Sequence, residues 1–158
     1  MRGLIVCLMS GFIFLCSSPL HAQVVSNNPP PEIVEKQTKA IEAAQGWLKL
    51  IDNGKYKASW DMAALVFKTV VLKEDWVKKA SDVRAPFGKV ASREIMGYQY
   101  TKALPGVPEG EYVIIQFKTA FQNGLKGIET ITPMLEADGA WRTTGYFIKK
   151  IEETAKAQ

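Results

Sequence analysis

The stretch EYVIIQFKTAF, residues 111–121, decides the fold class. Its side chains alternate between two faces, one formed by Val113, Ile115, Phe117, Thr119 and Phe121 and the other by Tyr112, Ile114, Gln116 and Lys118. Alternation of this kind is typical of a β-strand with one buried face, because successive side chains of a strand point to opposite sides. The stretch therefore predicts a half-buried strand in a sheet that is covered on one face.

Three further strands are predicted, at residues 89–101, 128–136 and 141–151. Asp138-Gly139 is a strong hairpin signal between the last two of them. Gly97 indicates a β-bulge inside the first. A loop rich in Pro and Gly, residues 102–111, joins the first strand to the quoted one. We therefore expect a four-stranded antiparallel meander.

The residues before the strands have the period of a helix. The apolar stripe of the first helix consists of Ile33, Ala40, Ile41, Ala44, Trp47, Leu48 and Ile51. Asp52-Asn53-Gly54 is predicted to end this helix, with Gly54 in the left-handed conformation. A second helix is predicted over residues 55–71 and a shorter third one around Trp76, which Pro86 terminates. Helices followed by an antiparallel meander predict an α+β fold, with N-terminal helices packed on a curved four-stranded sheet.

The first residues predict export. Arg2 precedes an apolar run over residues 4–16, and Leu20-His21-Ala22 is a cleavage pattern, so residues 1–22 are interpreted as a signal peptide. The run is shorter than the roughly 20 apolar residues that a membrane-spanning helix needs. We expect a periplasmic or secreted protein with a linker at 23–31, a single α+β domain at 32–151 and a tail at 152–158.

Cleavage after Ala22 would also remove the two cysteines and the one histidine of the chain, Cys7, Cys16 and His21. Their loss excludes thiol nucleophiles, disulfides, histidine-based acid–base catalysis and zinc sites built from sulfur or imidazole. No cofactor is therefore expected. The remaining charge, 19 basic against 16 acidic side chains, is spread along the chain. That distribution favours a solvated surface and no nucleic-acid partner.

Four ordered blocks of the sequence resemble a known family. They are GKYKASWDMAALVFK, RAPFGKVASRE, ALPGVPEGEYVIIQFKTAF and ETITPMLEADGAWRTTGYFI. These blocks resemble exported bacterial proteins grouped as domain of unknown function 4019, and the resemblance covers roughly residues 40–148. The resemblance implies a nuclear-transport-factor-2-like or cystatin-like cone, in which a bent sheet wraps around helices. It implies no activity and no catalytic residue.

Two charged residues, Arg93 and Glu129, lie inside predicted strands, where side chains are usually apolar. In one interpretation, one or both of them face solvent, as alternate strand residues do. In the other, they point into the cone and form a polar patch in a pocket with Tyr98, Tyr112 or Tyr146. Asp52 is assigned to the helix end. Two further arginines, Arg84 and Arg142, are expected to extend their charged ends to solvent.

Trp60 lies on a helical stripe with Tyr56 and Ala64, which is more often core than site. We retain Trp60 as a residue that could line a ligand pocket.

Three functions are compatible with these features. The first is a non-enzymatic envelope module that binds a small apolar or amphipathic ligand or an envelope protein. The second is an isomerase or lyase with Glu129 as base and Tyr98 or Tyr146 as hydrogen-bond donor, since such chemistry needs no histidine. The third is a structural subunit that forms a homodimer through the face of the sheet. The sequence favours the first.

Overall fold

The computed structural model describes residues 28–152. The predicted signal peptide, residues 23–27 of the predicted linker and residues 153–158 of the predicted tail lie outside this range. The helices are α1 (Pro31–Asp52), α2 (Tyr56–Asp61), α3 (Leu65–Val70) and α4 (Lys73–Arg84). The strands are β1 (Val90–Thr101), β2 (Glu111–Phe121), β3 (Lys126–Leu135) and β4 (Trp141–Lys150).

The four strands form an antiparallel meander in the order β1-β2-β3-β4, and the helices pack on one face of this sheet. This confirms the predicted α+β fold class, and the arrangement is consistent with a cone. Register shifts interrupt β1 near its start and between Ile95 and Gly97, and interrupt the β3–β4 pair beside Pro133. Such bulges add local bend and twist to a strand, which lets the sheet wrap around α1. The bulge at Gly97 was predicted from the sequence.

The core lies between α1 and the inner face of the sheet. The predicted α1 stripe supplies the fully buried Ala40, Ala44, Leu48 and Ile51, and β2 supplies Val113, Ile115 and Phe117 opposite them. The chain leaves α1 at the predicted position, where Gly54 has a φ of 67°. An L-residue with a side chain rarely adopts this conformation, so glycine is the residue that ends the helix here without strain.

The prediction of one helix over residues 55–71 was wrong, because Met62, Ala63 and Ala64 separate α2 from α3. Ala64 is extended, with a ψ of 152°, and its backbone N–H donates a 2.9 Å hydrogen bond to the carbonyl of Thr143 in β4. The same alanine is fully buried. Attachment of this segment to the sheet edge thus replaces the helical hydrogen bonds that local propensity favours.

Tyr112 lies on the outer face of the sheet, as the alternation predicted, and is nevertheless fully buried. The loop between β1 and β2 crosses this face, and the hydroxyl of Tyr112 donates a 2.6 Å hydrogen bond to the carbonyl of Pro108 in that loop. Burial raises the pKa of Tyr112. The residue therefore holds the long loop against the outer face and is remote from the inner one.

Candidate functional site

Four charged side chains from four different elements meet beneath the C-terminal ends of α1 and α4. We call them the charge cluster: Asp52 of α1, Arg84 of α4, Arg93 of β1 and Glu129 of β3. Thr119 of β2 and Tyr146 of β4 join them through hydrogen bonds. The strand register explains part of this convergence, since Arg93 pairs directly with Thr119 and side chains of directly paired residues lie on the same face.

Glu129 is the centre of the cluster and has an exposed fraction of 0%. One carboxylate oxygen accepts hydrogen bonds from Arg93 Nε at 2.8 Å and from the Thr119 hydroxyl at 2.5 Å. The other accepts from the Tyr146 hydroxyl at 2.6 Å. A buried carboxylate stays charged only when it is paired with a cation and hydrogen-bonded. Both oxygens of Glu129 accept hydrogen bonds, and one of them is paired with Arg93. A substrate atom would have to displace one of these donors before Glu129 could act as a base.

Arg93 ties the cluster together. Its two terminal nitrogens donate to the two oxygens of Asp52 at 2.7 and 2.9 Å, a bidentate pair, while its Nε donates to Glu129. Burial disfavours the charge of this guanidinium, but the hydrogen bonds and charges of Asp52 and Glu129 outweigh that effect and raise its pKa. Arg93 therefore stays charged and carries most of the attraction between helix and sheet at this point.

Arg84 does not reach solvent, so that prediction was wrong: its exposed fraction is 4%. One terminal nitrogen donates to Asp52 at 3.1 Å, while Nε and the other terminal nitrogen have no hydrogen-bond partner. The second of these lies 3.7 Å from an oxygen of Glu129. The guanidinium packs over the ring of Phe121, with its carbon 5.0 Å from the ring centre. This position at the end of α4, under the sheet, leaves the side chain no path to water.

The sequence had singled out two members of the cluster, Arg93 and Glu129, and had assigned Asp52 only to a helix end. Among the three candidate tyrosines, only Tyr146 joins them. Tyr98 lies on the edge strand β1, half-exposed, and pairs with Ile115, two inward-facing positions along the strand from Arg93. The interpretation in which Arg93 or Glu129 faces solvent does not hold, because both are turned toward the helices.

Tyr146 connects the cluster to a groove in the surface. Burial and the negative charge of Glu129 raise the pKa of its hydroxyl, so the phenol remains protonated and donates to Glu129. Its ring lies 5.6 Å from the ring of Trp47, centre to centre. The other side of Tyr146 lines the groove between α3, α4 and β4.

This groove has a volume of about 280 Å³. It is lined by Phe67, Val71, Trp76, Lys79, Ala80, Val83, Tyr146, Phe147 and Ile148. The lining side chains are apolar or aromatic except Lys79, and that is the composition of sites that bind small ligands. The volume is just below the usual range of about 300–1,000 Å³ for such sites, so the groove suits a small ligand or a single chain of a larger one.

The floor of the groove has its polar groups turned away from the opening. Trp76 donates its indole N–H to the hydroxyl of Ser59 at 2.9 Å, and Trp47 behind it donates to the carbonyl of the same Ser59 at 2.8 Å. Phe67 packs edge-on against Trp76 at 5.2 Å. Together with the hydrogen bond from Tyr146 to Glu129, these contacts occupy the hydrogen-bond donors of the aromatic side chains that form the floor. The groove therefore offers ring faces and aliphatic groups to a ligand.

Trp60 does not line the groove. Its indole N–H donates to the carbonyl of Val71 at 2.9 Å, and the ammonium groups of Lys68 and Lys73 each lie 5.5 Å from its ring centre. Trp60 thus forms the base of a separate lysine-rich surface. No signal in its helical spacing distinguished this position from a core one.

Within residues 28–152, no three His, Cys, Asp or Glu side chains are grouped closely enough to hold a metal ion. None of the described helices combines the length and the apolar character needed to cross a bilayer.

A family model described as "Protein of unknown function (DUF4019)" matches residues 43–146. A search of curated proteins found no match. Among solved structures, a protein from Catenulispora acidiphila determined at 2.5 Å is similar, with a TM-score of 0.49 and 10% sequence identity. The similarity covers 75% of this chain and 94% of the other.

Proposed function

The chain belongs to the family described as domain of unknown function 4019, and we propose that this member is an exported, non-enzymatic binding module. Its ligand is a small amphipathic molecule with an apolar chain and an anionic end. The apolar chain enters the groove between α3, α4 and β4, and the anionic end meets the ammonium group of Lys79 at the rim.

The inward direction of the polar groups in the groove floor carries this proposal. The donors of Trp76 and Tyr146 are held by Ser59 and Glu129, so a ligand finds little to hydrogen-bond with on the floor. Desolvating such a surface costs little, and burying an alkyl chain there gains about 0.8 kcal/mol per methylene. Lys79 is the lining residue that can recognise charge. An alkyl chain with an anionic end satisfies both requirements.

The export part of the proposal is supported by the N-terminal sequence, in which an apolar run precedes Leu20-His21-Ala22. Intact mass measurement of the protein isolated from its own source tests it directly. A mature N-terminus at Gln23 is the expected result. A retained Met1 with the full apolar run would contradict export by cleavage.

The groove is tested with decanoate and with its uncharged analogue decanol as probes. We expect both to bind in calorimetric titrations with a negative heat-capacity change, the mark of apolar burial. The variant Lys79→Gln should weaken decanoate binding about fivefold or more and leave decanol binding unchanged, because only the first probe carries a charge. Native mass spectrometry of the protein from its own source would reveal the natural ligand by its mass.

A matched pair of variants locates the binding site. Val83 lines the groove and is 47% exposed, whereas Val34 on α1 is 46% exposed and lies outside it. Val83→Gln should weaken binding of both probes, and Val34→Gln should not. Equal effects of the two substitutions, or no binding of either probe to the unchanged protein, would refute the proposal.

A second candidate function, assembly into a homodimer, is favoured by the free edge of the sheet. β1 is an edge strand of twelve residues, and Ile95, Met96 and Tyr98 are exposed along it. An exposed edge with apolar side chains can pair with the same strand of a second copy. Sedimentation equilibrium at micromolar concentration tests this: a dimer that Met96→Lys dissociates is expected, and a monomer would exclude it.

A further inference from the structure

A lysine-rich surface with projecting apolar side chains lies on the molecule next to Trp60. We call it the lysine patch: Lys57, Lys68, Lys73 and Lys78, together with Val70 and Leu72, which lie between Lys68 and Lys73 in the sequence. Val70 is 78% exposed and Leu72 is 68% exposed. Val70 is the last residue of α3, and Leu72 immediately precedes Lys73, the first residue of α4.

The lysines of the patch are held close to one another. The ammonium groups of Lys68 and Lys73 flank the same Trp60 ring, each 5.5 Å from its centre. Lys57, Lys73 and Lys78 line one open hollow of about 450 Å³ together with Glu74 and Val77. The patch is therefore a continuous cationic surface with a concave centre.

The positive charge of the patch is only partly neutralised. Asp61 forms an ion pair with Lys73 at 2.7 Å, and Glu74 lies in the hollow. Residues 55–79 contain six lysines and three carboxylates, while the other described residues contain twelve basic and twelve acidic side chains. The whole positive excess of residues 28–152 thus lies in this one segment.

We propose that the lysine patch docks the protein on a membrane surface that contains anionic phospholipids. The lysines would attract the phosphate headgroups, and the side chains of Val70 and Leu72 would enter the boundary between headgroups and acyl chains. A cationic surface with projecting apolar groups is suited to this interface, because the two gains add. A hydrophilic polyanion would use the lysines but give no role to the two exposed aliphatic side chains of Val70 and Leu72.

This inference goes beyond the proposed function and rests on other residues. The groove is lined by other residues of α3 and α4, among them Phe67, Trp76 and Val83. No residue of the patch lines the groove. Failure of the groove proposal would therefore not affect the patch, and the reverse is also true.

Vesicle co-sedimentation tests the inference. The probes are vesicles of equal parts phosphatidylcholine and phosphatidylglycerol, compared with vesicles of phosphatidylcholine alone, and the protein is the full chain expressed with its own N-terminus. We expect binding to the mixed vesicles that exceeds binding to phosphatidylcholine and falls at high salt. Any contribution of the N-terminal apolar run is the same in every variant, so differences between variants report the patch.

Two variants of the patch should weaken this binding. Lys57→Gln with Lys78→Gln should lower the partition coefficient on mixed vesicles about 25-fold, since each lysine near an anionic surface contributes about fivefold (~1 kcal/mol). Leu72→Ser should lower it about tenfold, as expected when part of a leucine side chain is buried.

Two controls match these variants. Lys118→Gln with Lys149→Gln removes the same charge from exposed positions on the sheet. Leu65→Ser changes the same residue type at the same 68% exposure, but Leu65 lies beside Glu136 and Asp138. Both controls should bind within about twofold of the unchanged protein.

Three outcomes would overturn the inference. They are absence of binding to mixed vesicles, equal losses in patch and control variants, and binding that does not depend on phosphatidylglycerol. Sedimentation velocity of the same variants identifies the alternative occupant: if Leu72→Ser dissociates an oligomer while vesicle binding is absent, the patch is a protein interface and the lipid assignment is wrong.

Discussion

Replacement by methionine should destabilise the protein strongly at Arg93 and hardly at Arg84, although both arginines of the charge cluster share the carboxylate of Asp52. Methionine retains much of the aliphatic volume and removes the charge and the donors. The difference follows from how well each guanidinium is satisfied. Arg93 uses Nε and both terminal nitrogens, whereas Arg84 leaves two of its nitrogens without a hydrogen-bond partner.

Arg93→Met removes two bonds to Asp52 and one to Glu129, and it leaves a fully buried carboxylate short of its nearest positive partner. Removing one partner of a buried ion pair typically costs about 3–5 kcal/mol. Arg84→Met removes a single 3.1 Å bond and the 3.7 Å approach to Glu129, but also relieves the burial of two unpartnered donors, at about 1–3 kcal/mol for each unsatisfied group. Its net effect should stay within about 1 kcal/mol of zero.

Urea unfolding followed by tryptophan fluorescence measures both variants. With a slope of about 2 kcal/mol per molar urea, a loss of about 4 kcal/mol shifts the midpoint by about 2 M. Arg93→Met should show such a shift and Arg84→Met less than about 0.5 M. If Arg93→Met does not fold, Arg93→Lys keeps the charge, loses the bidentate geometry and should show a smaller shift in the same direction.

A surface arginine supplies the control. Arg142→Met removes ion pairs to Glu136 and Asp138 at a partly exposed position, and exposed pairs contribute about 0–1 kcal/mol. Equal destabilisation by Arg84→Met and Arg93→Met would refute the reasoning. That result would mean that the charge of Arg84 compensates Glu129 without a hydrogen bond, and that its unpartnered nitrogens cost nothing.

Three further predictions concern single residues. Gly46→Ala, at an exposed position in the middle of α1, should stabilise the protein by about 0.5–1 kcal/mol. Gly127→Ala should destabilise it by about 1–3 kcal/mol, because the new Cβ would lie 3.2 Å from a backbone oxygen. Urea unfolding measures both variants, and a change in stability of the same sign in both would contradict this. Hydrogen bonds from Arg142 hold the pKa of Asp138 at about 2. The contribution of the Asp138 carboxylate to protein stability is therefore complete above the ordinary aspartate pKa near 4 and is lost as the pH falls toward 2. A carboxyl titration of Asp138 by NMR with a midpoint near 4 would contradict this. Tyr146→Phe leaves one oxygen of buried Glu129 without its donor and should cost about 1–3 kcal/mol in the same unfolding assay, with no loss as the refuting result.

The strands could be predicted from the sequence because their determinant is local. The alternation in residues 111–121 assigned Val113, Ile115 and Phe117 to the buried face, and the structure confirms them there. Gly97 marked a bulge, and Asp138-Gly139 marked a turn in which Gly139 has a φ of 80°. Period and turn chemistry are properties of short segments, so a single sequence contains them.

The break between α2 and α3 could not be predicted in this way. Residues 55–71 have a helical period throughout, and nothing local stops a helix at Met62. The helix ends because Ala64 donates its N–H to Thr143, 79 positions further along the chain. A hydrogen bond between distant segments leaves no pattern in either one, which is why tertiary structure overrides propensity here.

In the candidate site, too, a local signal in the sequence could be used for prediction, whereas contacts between distant segments could not. A charge inside a strand singled out Arg93 and Glu129, while Asp52 and Arg84 stand at helix ends, where charged residues are common and carry no signal. In the structure these four groups form ion pairs with one another, so their charges are neutralised inside the molecule. The groove lies on the other side of Tyr146 and is lined mainly by apolar and aromatic side chains. A charged residue inside a strand of this sequence therefore predicts a structural contact. A ligand is better sought in the groove, where the hydrogen-bond donors of Trp76 and Tyr146 are already bound to Ser59 and Glu129.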